Sequence, residues 1–272
     1  MNEKIMKRVE EHYKILLDKG YEIIYLGLQG SQNYGLDVYD SDYKSDVDTK
    51  AIVLPSFEDF VENKEPISTT LVLDNNEHID VKDIRVMFDN FKKQNINFVE
   101  ILFTEYYICN PKYSKEMKKL LENNERIARY NTNQALRCMS GMSMEKLKAL
   151  QHPYPSIVDK IEKYGYDPKQ LHHILRLNDF IEKYVENKPY QECLIPNNID
   201  YLIDVKKGNI PCNIAIELAN AVDLHTKMIK DSYVTEIDTI DQDVEALLHN
   251  VKTEILKKKF REDLKLWMKR HL

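Results

Sequence analysis

The chain lacks the cysteine patterns that mark a metal knuckle or a redox centre. Its four cysteines, Cys109, Cys138, Cys193 and Cys212, are scattered, and none falls in a CxxC pair. Neither a structural zinc site nor a thioredoxin-like motif is therefore supported, and no His/Cys cluster offers an alternative. It has no apolar run near the roughly twenty residues that a membrane span needs. The opening MNEKIMKRVEEHY is charged and amphipathic and carries no signal-peptide core. A cytoplasmic protein with no membrane partner is expected. There is no excess of positive charge: the net charge is −6, which argues against broad coating of nucleic acid. Several nucleotide and ion motifs are missing as well. No GxxxxGK(S/T) is present, so this is no P-loop, and GLQGSQNYG lacks the GxGxxG spacing. The aspartate-rich run has no central glycine or terminal glutamate at EF-hand offsets, and no Ser/His/Asp spacing points to a hydrolase.

What is there suits a globular protein. The chain has 272 residues, 43% of them apolar and 31% charged, enough for one large domain or two modest ones. Charge is unevenly spread. Residues 251–272 hold eight Lys/Arg against three Asp/Glu, a net of +5, which leaves −11 on the rest. A basic tail on an acidic body is either a phosphate-contacting surface or an ordinary solvated helix face.

Residues 3–18 read as an amphipathic helix with Ile5, Met6, Val9, Ile15, Leu16 and Leu17 on its apolar side, stopped by Gly20. YEIIYLGLQ (21–29), TKAIVLP (49–55) and HIDVKDI (78–84) read as strands. A helix follows Asp83, and NFVEILF (97–103) fits either state. After about residue 112 the pattern is helical throughout. The expected fold is α/β with a mixed sheet in residues 1–110, followed by an all-α domain over 111–272.

The chemistry concentrates in GSQNYGLDVYDSDYKSDVDTKAI (30–52), where five aspartates fall within twelve residues between two strands. Gly30 has no Cβ, so a phosphate can approach its backbone closely. Ser31 offers a hydroxyl and an N–H to phosphate oxygens. Asp46 and Asp48 are two apart, so on a strand they share a face. Two adjacent carboxylates repel unless a cation lies between them, and Mg²⁺ (or Mn²⁺) with substrate phosphates is the usual partner. Two such ions can activate a hydroxyl and stabilise a leaving pyrophosphate. A two-metal site wants a third carboxylate from a neighbouring strand. Asp80, set between Ile79 and Val81, is the candidate, and Asp83 is the competitor, unless it caps the next helix. Asp37, Asp40 and Asp42 read as loop residues. Lys50 is a candidate for a phosphate or for balancing the carboxylates, with a surface lysine as the alternative, and Tyr34 for stacking on base or ribose, with loop packing as the alternative. The competing interpretation of Asp46 and Asp48 is a solvated acidic turn.

KYGYDPKQLHHILRL supplies a second element. Asp167 is a good N-cap and Pro168 a good first helical residue. At about 100° per residue, Lys169, His172, His173 and Arg176 share one arc, and Leu171, Ile174, Leu175, Ile181 and Val185 take the other side. Such a stripe can clamp a triphosphate. His173, one turn after Lys169, is preferred over His172. A solvated face with half-buried histidines is the alternative.

These residues resemble the nucleotidyltransferase superfamily typified by DNA polymerase β, whose signature is Gly-Ser, a spacer, Asp-x-Asp and a later carboxylate. Within it, the chain looks like the predicted RNA-repair-associated nucleotidyltransferases of bacteria and phages. The resemblance rests on GLQGSQNYGL, SDVDTKAIV, HIDVKDIRVMF with NFVEILF, and KYGYDPKQLHHILRL, and so spans roughly residues 21–185. The spacer before Asp46 is longer than in many members, and Ser41-Asp42 offers a competing register. Ser45-Asp46 is preferred because it sets Asp48 beside TKAIVLP. Residues 186–272 carry no part of the resemblance.

The resemblance implies NMP transfer from an NTP to a hydroxyl, with pyrophosphate released. Gly30, Ser31, Lys169, His173 and Arg176 would bind the nucleotide, and Asp46, Asp48 and Asp80 would hold two metal ions. It points to an RNA 3′ end, such as damaged tRNA, as acceptor. A protein or small-molecule hydroxyl is the alternative, and a silent nucleotide- or RNA-binding module is a third reading.

Overall fold

The computed structural model describes residues 2–39 and 45–271. The expected loop residues Asp40 and Asp42, and the competing Ser41-Asp42 register, lie outside them. Five strands appear in chain order: β1 (Ile23–Gln29), β2 (Asp48–Val53), β3 (Ser68–Val72), β4 (His78–Asp83) and β5 (Tyr107–Cys109). The α-helices are α1 (Asn2–Asp18), α2 (Phe57–Val61), α3 (Ile84–Lys92), α4 (Ile96–Val99), α5 (Ser114–Leu121), α6 (Asn124–Ala128), α7 (Thr132–Ala149), α8 (Val158–Tyr164), α9 (Pro168–Val185), α10 (Tyr190–Leu194), α11 (Ile199–Lys206), α12 (Cys212–Tyr233) and α13 (Gln242–His271). The α/β sheet followed by an all-α region matches the expected class.

The chain forms two compact units that do not follow the expected boundary between residues 110 and 111. The first contains 1–33, 46–130 and 240–272; the second contains 34–45 and 131–239. The reason is packing. Helix α13 buries Val244, Leu248, Val251 and Ile255. Phe260 meets Phe57 and Phe60 of α2 at ring-centroid distances of 5.5 and 5.1 Å. The last helix thus belongs with the first unit, against α2, α3 and α5. The long spacer after Gly-Ser also has a cause: residues 34–45 are part of the second unit.

In the first unit the sheet order is β3-β4-β2-β1-β5. The β2–β4 pair is parallel and the other pairs are antiparallel. One face packs on α1, where Ile5, Val9 and Leu16 meet Leu26, Leu28, Val47, Ala51, Ile79 and Val81. Residues 5, 9, 12 and 16 follow helical spacing, so His12 joins this buried stripe while Leu17 is half exposed. Gly20 ends α1 at φ +83°, a conformation that glycine adopts without strain. Residues 97–103 resolve into the end of α4 and a short 3-10 turn.

In the second unit α9 is central, packed by α7, α10, α11 and α12. Asp167 caps it, accepting from the Lys169 N–H at 3.0 Å, and Pro168 opens it.

Candidate active site

The face of the sheet away from α1 carries the predicted carboxylates, and strand register explains why. Gln29 lies opposite Asp48, so the chain passes from β1 into Gly30-Ser31 beside the start of β2. Val47 and Thr49 are buried toward α1, and alternation turns Asp48 and Lys50 to the other face. The parallel β2–β4 register sets Thr49 by Ile79 and Lys50 by Asp80. Two rows of side chains therefore cross this face. The first runs Gln29, Asp48, His78. The second runs Tyr107, Gly27, Lys50, Asp80, Thr70.

Gly30 adopts φ +93° with no atom near the place a Cβ would take, so backbone conformation alone requires glycine here. Ser31 starts a short 3-10 turn to Tyr34. Asn33 anchors that turn, donating to the Leu28 carbonyl at 2.9 Å and accepting from the Thr104 hydroxyl at 2.7 Å. The Gln32 amide donates to the Asp46 carbonyl, tying the Gly-Ser loop to the aspartate pair. Asp46 is exposed, and the Asp48 side chain is 34% exposed.

Asp48 is held in place by a residue the sequence reasoning missed. His78 donates to Asp48 Oδ1 from its backbone N–H at 2.8 Å and from Nδ1 at 3.1 Å. The signal was present, since His78, Asp80 and Lys82 are polar at strand period. Behind the sheet, buried His12 bonds Thr49 Oγ1 at 2.9 Å and Glu77 Oε2 at 3.0 Å. Burial keeps His12 below its ordinary pKa despite Glu77, so the ring is neutral. Its Nε2–H donates to Glu77, and Nδ1 accepts from Thr49. Burial raises Glu77, but hydrogen bonds from Arg8, Asn75 and His12 outweigh it and hold the carboxyl below its usual range.

Asp80 reaches the predicted face, but as part of an ion cluster. Lys50 Nζ pairs with Oδ2; Lys82 Nζ lies 2.8 Å from Oδ1 and the Thr70 hydroxyl 3.3 Å from it. The Lys50 ammonium also sits 4.1 Å from the Phe98 ring centre and is 4% exposed. Burial pushes Lys50 down, with Asp80 partly restoring it. Burial likewise raises Asp80, but the two lysines outweigh it and hold the carboxyl below its usual range. Among the described residues, no three His, Cys, Asp or Glu side chains gather as a metal-binding group. Asp83 is the N-cap of α3, accepting from the Arg85 N–H at 2.8 Å and from its guanidinium at 2.7 and 2.9 Å.

The remaining predicted residues lie in the second unit. Tyr34 is buried at 2% exposure, with the Arg176 guanidinium 3.9 Å from its ring centre. Its expected stacking on a base or ribose gives way to packing beneath Arg176. Lys169 is exposed in the first turn of α9. The polar arc is narrower than expected because His172 faces inward, donating from Nδ1 to the Leu202 carbonyl at 3.0 Å. Burial lowers His172 to about 4. His173, half-buried beside it, is also held well below its usual value, by burial first and then by His172, Lys169 and Arg176. Both rings are neutral at neutral pH. A pocket of about 380 Å³ in this unit, lined by Leu147, Gln151, His152, Ile216 and Asn220 among others, includes none of the predicted residues.

The geometry defines a face where a Gly-Ser turn adjoins a paired carboxylate motif. No family model and no curated protein matches the chain. Among solved structures, a nucleotidyltransferase-like protein from Exiguobacterium sibiricum 255-15 is similar, at 14% identity over 85% of this chain and 75% of that one. The TM-score is 0.29, too low for that likeness to carry any argument. No helix among the described residues is long and apolar enough to cross a membrane.

Proposed function

We propose that this protein is a nucleotidyltransferase that moves NMP from an NTP to an acceptor hydroxyl and releases pyrophosphate. The observation that carries the reading is the β1–β2 register, which sets Gly30-Ser31 beside Asp46 and Asp48 at one edge of a sheet face. Gly30 admits a phosphate close to the backbone, and the Ser31 hydroxyl and N–H donate to its oxygens. Asp46 and Asp48 are the residues that would hold a divalent cation, Mg²⁺ or Mn²⁺, which when bound neutralises phosphate charge. His78 keeps the Asp48 carboxylate oriented. Exposed Lys169 and half-buried Arg176 are proposed as phosphate contacts, with neutral His173 as a hydrogen-bond donor rather than a charge.

The family resemblance favours an RNA 3′ end as acceptor. A specific observation favours the second reading, a protein or small-molecule hydroxyl. Three central lysines of the basic stretch of α13 are engaged by acidic side chains of this chain: Lys257 with Glu254, Lys258 with Glu116, and Lys259 with Glu22 and Asp263.

The test is label transfer. Protein, Mg²⁺ or Mn²⁺ and each α-³²P-labelled NTP are incubated with total tRNA, with protein extract, or with no acceptor. Label on RNA that disappears in Asp46→Ala/Asp48→Ala supports the first acceptor, and label on protein supports the second. Asp48→Asn alone is expected to abolish transfer and leave the melting temperature within a few degrees of the parent. Retained transfer in that variant refutes the assignment.

A further inference from the structure

The row Gly27, Lys50, Asp80, Thr70 crosses the sheet next to the row that holds Asp48. The groups that meet Asp80, two from this row and Lys82 two residues along β4, are donors belonging to this chain. Oδ2 takes the Lys50 ammonium, and Oδ1 takes the Lys82 ammonium at 2.8 Å and the Thr70 hydroxyl at 3.3 Å. Asp80 is thus a carboxylate with both oxygens in use and two positive charges against its one.

Lys50 is no passing surface lysine. Its side chain is 4% exposed, and the Asp80 side chain is 14% exposed. Gly27 lies opposite Lys50 across β1 and has no side chain to compete for the space. The Phe98 ring covers the ammonium at 4.1 Å, a cation–π contact that adds to the ion pair. Removing one member of a buried ion pair leaves the other as an uncompensated charge, which is strongly unfavourable. Recruiting Asp80 to a metal ion would require that separation, with Lys50 left against an aromatic face and next to a second cation.

We propose that Lys50 is a built-in cation that takes the carboxylate a second metal ion would use, so that the site holds one divalent cation, on Asp46 and Asp48. This inference rests on the nucleotidyltransferase reading and narrows it, since Asp80 is an ion-pair partner and not a ligand. The positive charge opposite Asp80 is then supplied by the fold and does not depend on metal concentration.

The test is metal stoichiometry on the full chain, by Mn²⁺ titration followed by electron paramagnetic resonance, with a nucleoside triphosphate analogue that cannot be cleaved between the α and β phosphates. One Mn²⁺ per chain is expected. Asp46→Asn/Asp48→Asn should lose it, with affinity falling tenfold or more, and Asp80→Asn should keep it within about twofold. Asp80→Asn strands the Lys50 charge, so Asp80→Asn/Lys50→Met, which removes both charges together, provides the same comparison in a variant whose folding is checked by circular dichroism. Two Mn²⁺ ions in the parent protein, or loss of an ion in the double variant, overturns the inference while leaving nucleotidyl transfer intact. No Mn²⁺ binding with or without the analogue refutes the underlying reading, and this inference with it.

Discussion

Asp80 and Asp83 stand on one strand, three residues apart, and alternation sends them to opposite faces. Sequence spacing alone left them as rivals for one role. The structure separates them: Asp80 enters the lysine cluster, and Asp83 is fully buried as the cap of α3. Loss of an N-cap costs about 0.5–2 kcal/mol, and Asp83→Ala also leaves the Arg85 guanidinium without its partner. The variant should therefore be destabilised by at least that amount in urea titration, without change in Mn²⁺ binding. His172 makes a prediction of a different kind. Its folded pKa of about 4 lies below the ordinary 6.5, so only the unfolded chain binds its proton between those values. Stability is full above pH 6.5 and falls as pH drops toward 4. The loss from this group is about 2 kcal/mol by pH 5, at 1.4 kcal/mol per pH unit. His173 acts in the same direction, and the nearby charges of Lys169, Arg176 and Lys206 reinforce it. Urea midpoints measured from pH 7 to 5 check this, and His172→Gln should flatten the slope.

Some elements were readable because their pattern is local. Helix α1 and strands β1, β2 and β4 bury one face or both, so apolar runs or period-two alternation announce them. Strand β3 was not, because it is an exposed edge strand with no buried side chain, and β5 has three residues. Their strand character comes from a neighbour's hydrogen bonds, which no local pattern records. The same holds within the site. Period two placed Asp48 and Asp80 outward, but the Lys50–Asp80 pair depends on the parallel register between strands thirty residues apart. Helix α13 shows how little a charge run says about its partners. Its lysines read either as a phosphate-contacting surface or as a solvated helix face, and neither includes the contact of Lys259 with Glu22, which also takes Lys112 and the Tyr113 hydroxyl. Burial raises the Glu22 carboxyl, and these donors outweigh it, so the pKa falls to about 2. The stabilisation is present above the ordinary value of 4.5 and is lost as pH falls through about 2. Glu22→Gln should cost on the order of 1–2 kcal/mol after solvent screening, and hydrogen exchange should quicken in α13 around Lys259.

At the scale of the whole molecule, the boundary between units could not be read from composition, because it is set by which surface the last helix covers. Residues 34–45 leave the first unit and residue 46 returns to it; residues 131–239 leave again and α13 returns. Four apolar side chains of α13 are buried there, and full burial of such a side chain is worth about 1.5–3 kcal/mol. A chain ending at residue 239 should therefore melt well below the full chain, or fail to accumulate in soluble form, and differential scanning calorimetry of the two decides it.

The three-segment first unit also constrains synthesis on the ribosome. The second unit has all of its residues by position 239, while the sheet, whose strands are translated much earlier, still lacks α13. Glu22, Lys112 and the surface above α2 must wait through more than a hundred codons for Lys259, Glu262 and Phe260. Domains usually form in order of emergence. Here the later-made unit can finish first, and the surfaces of α2, α3 and α5 that α13 covers stay open through that interval.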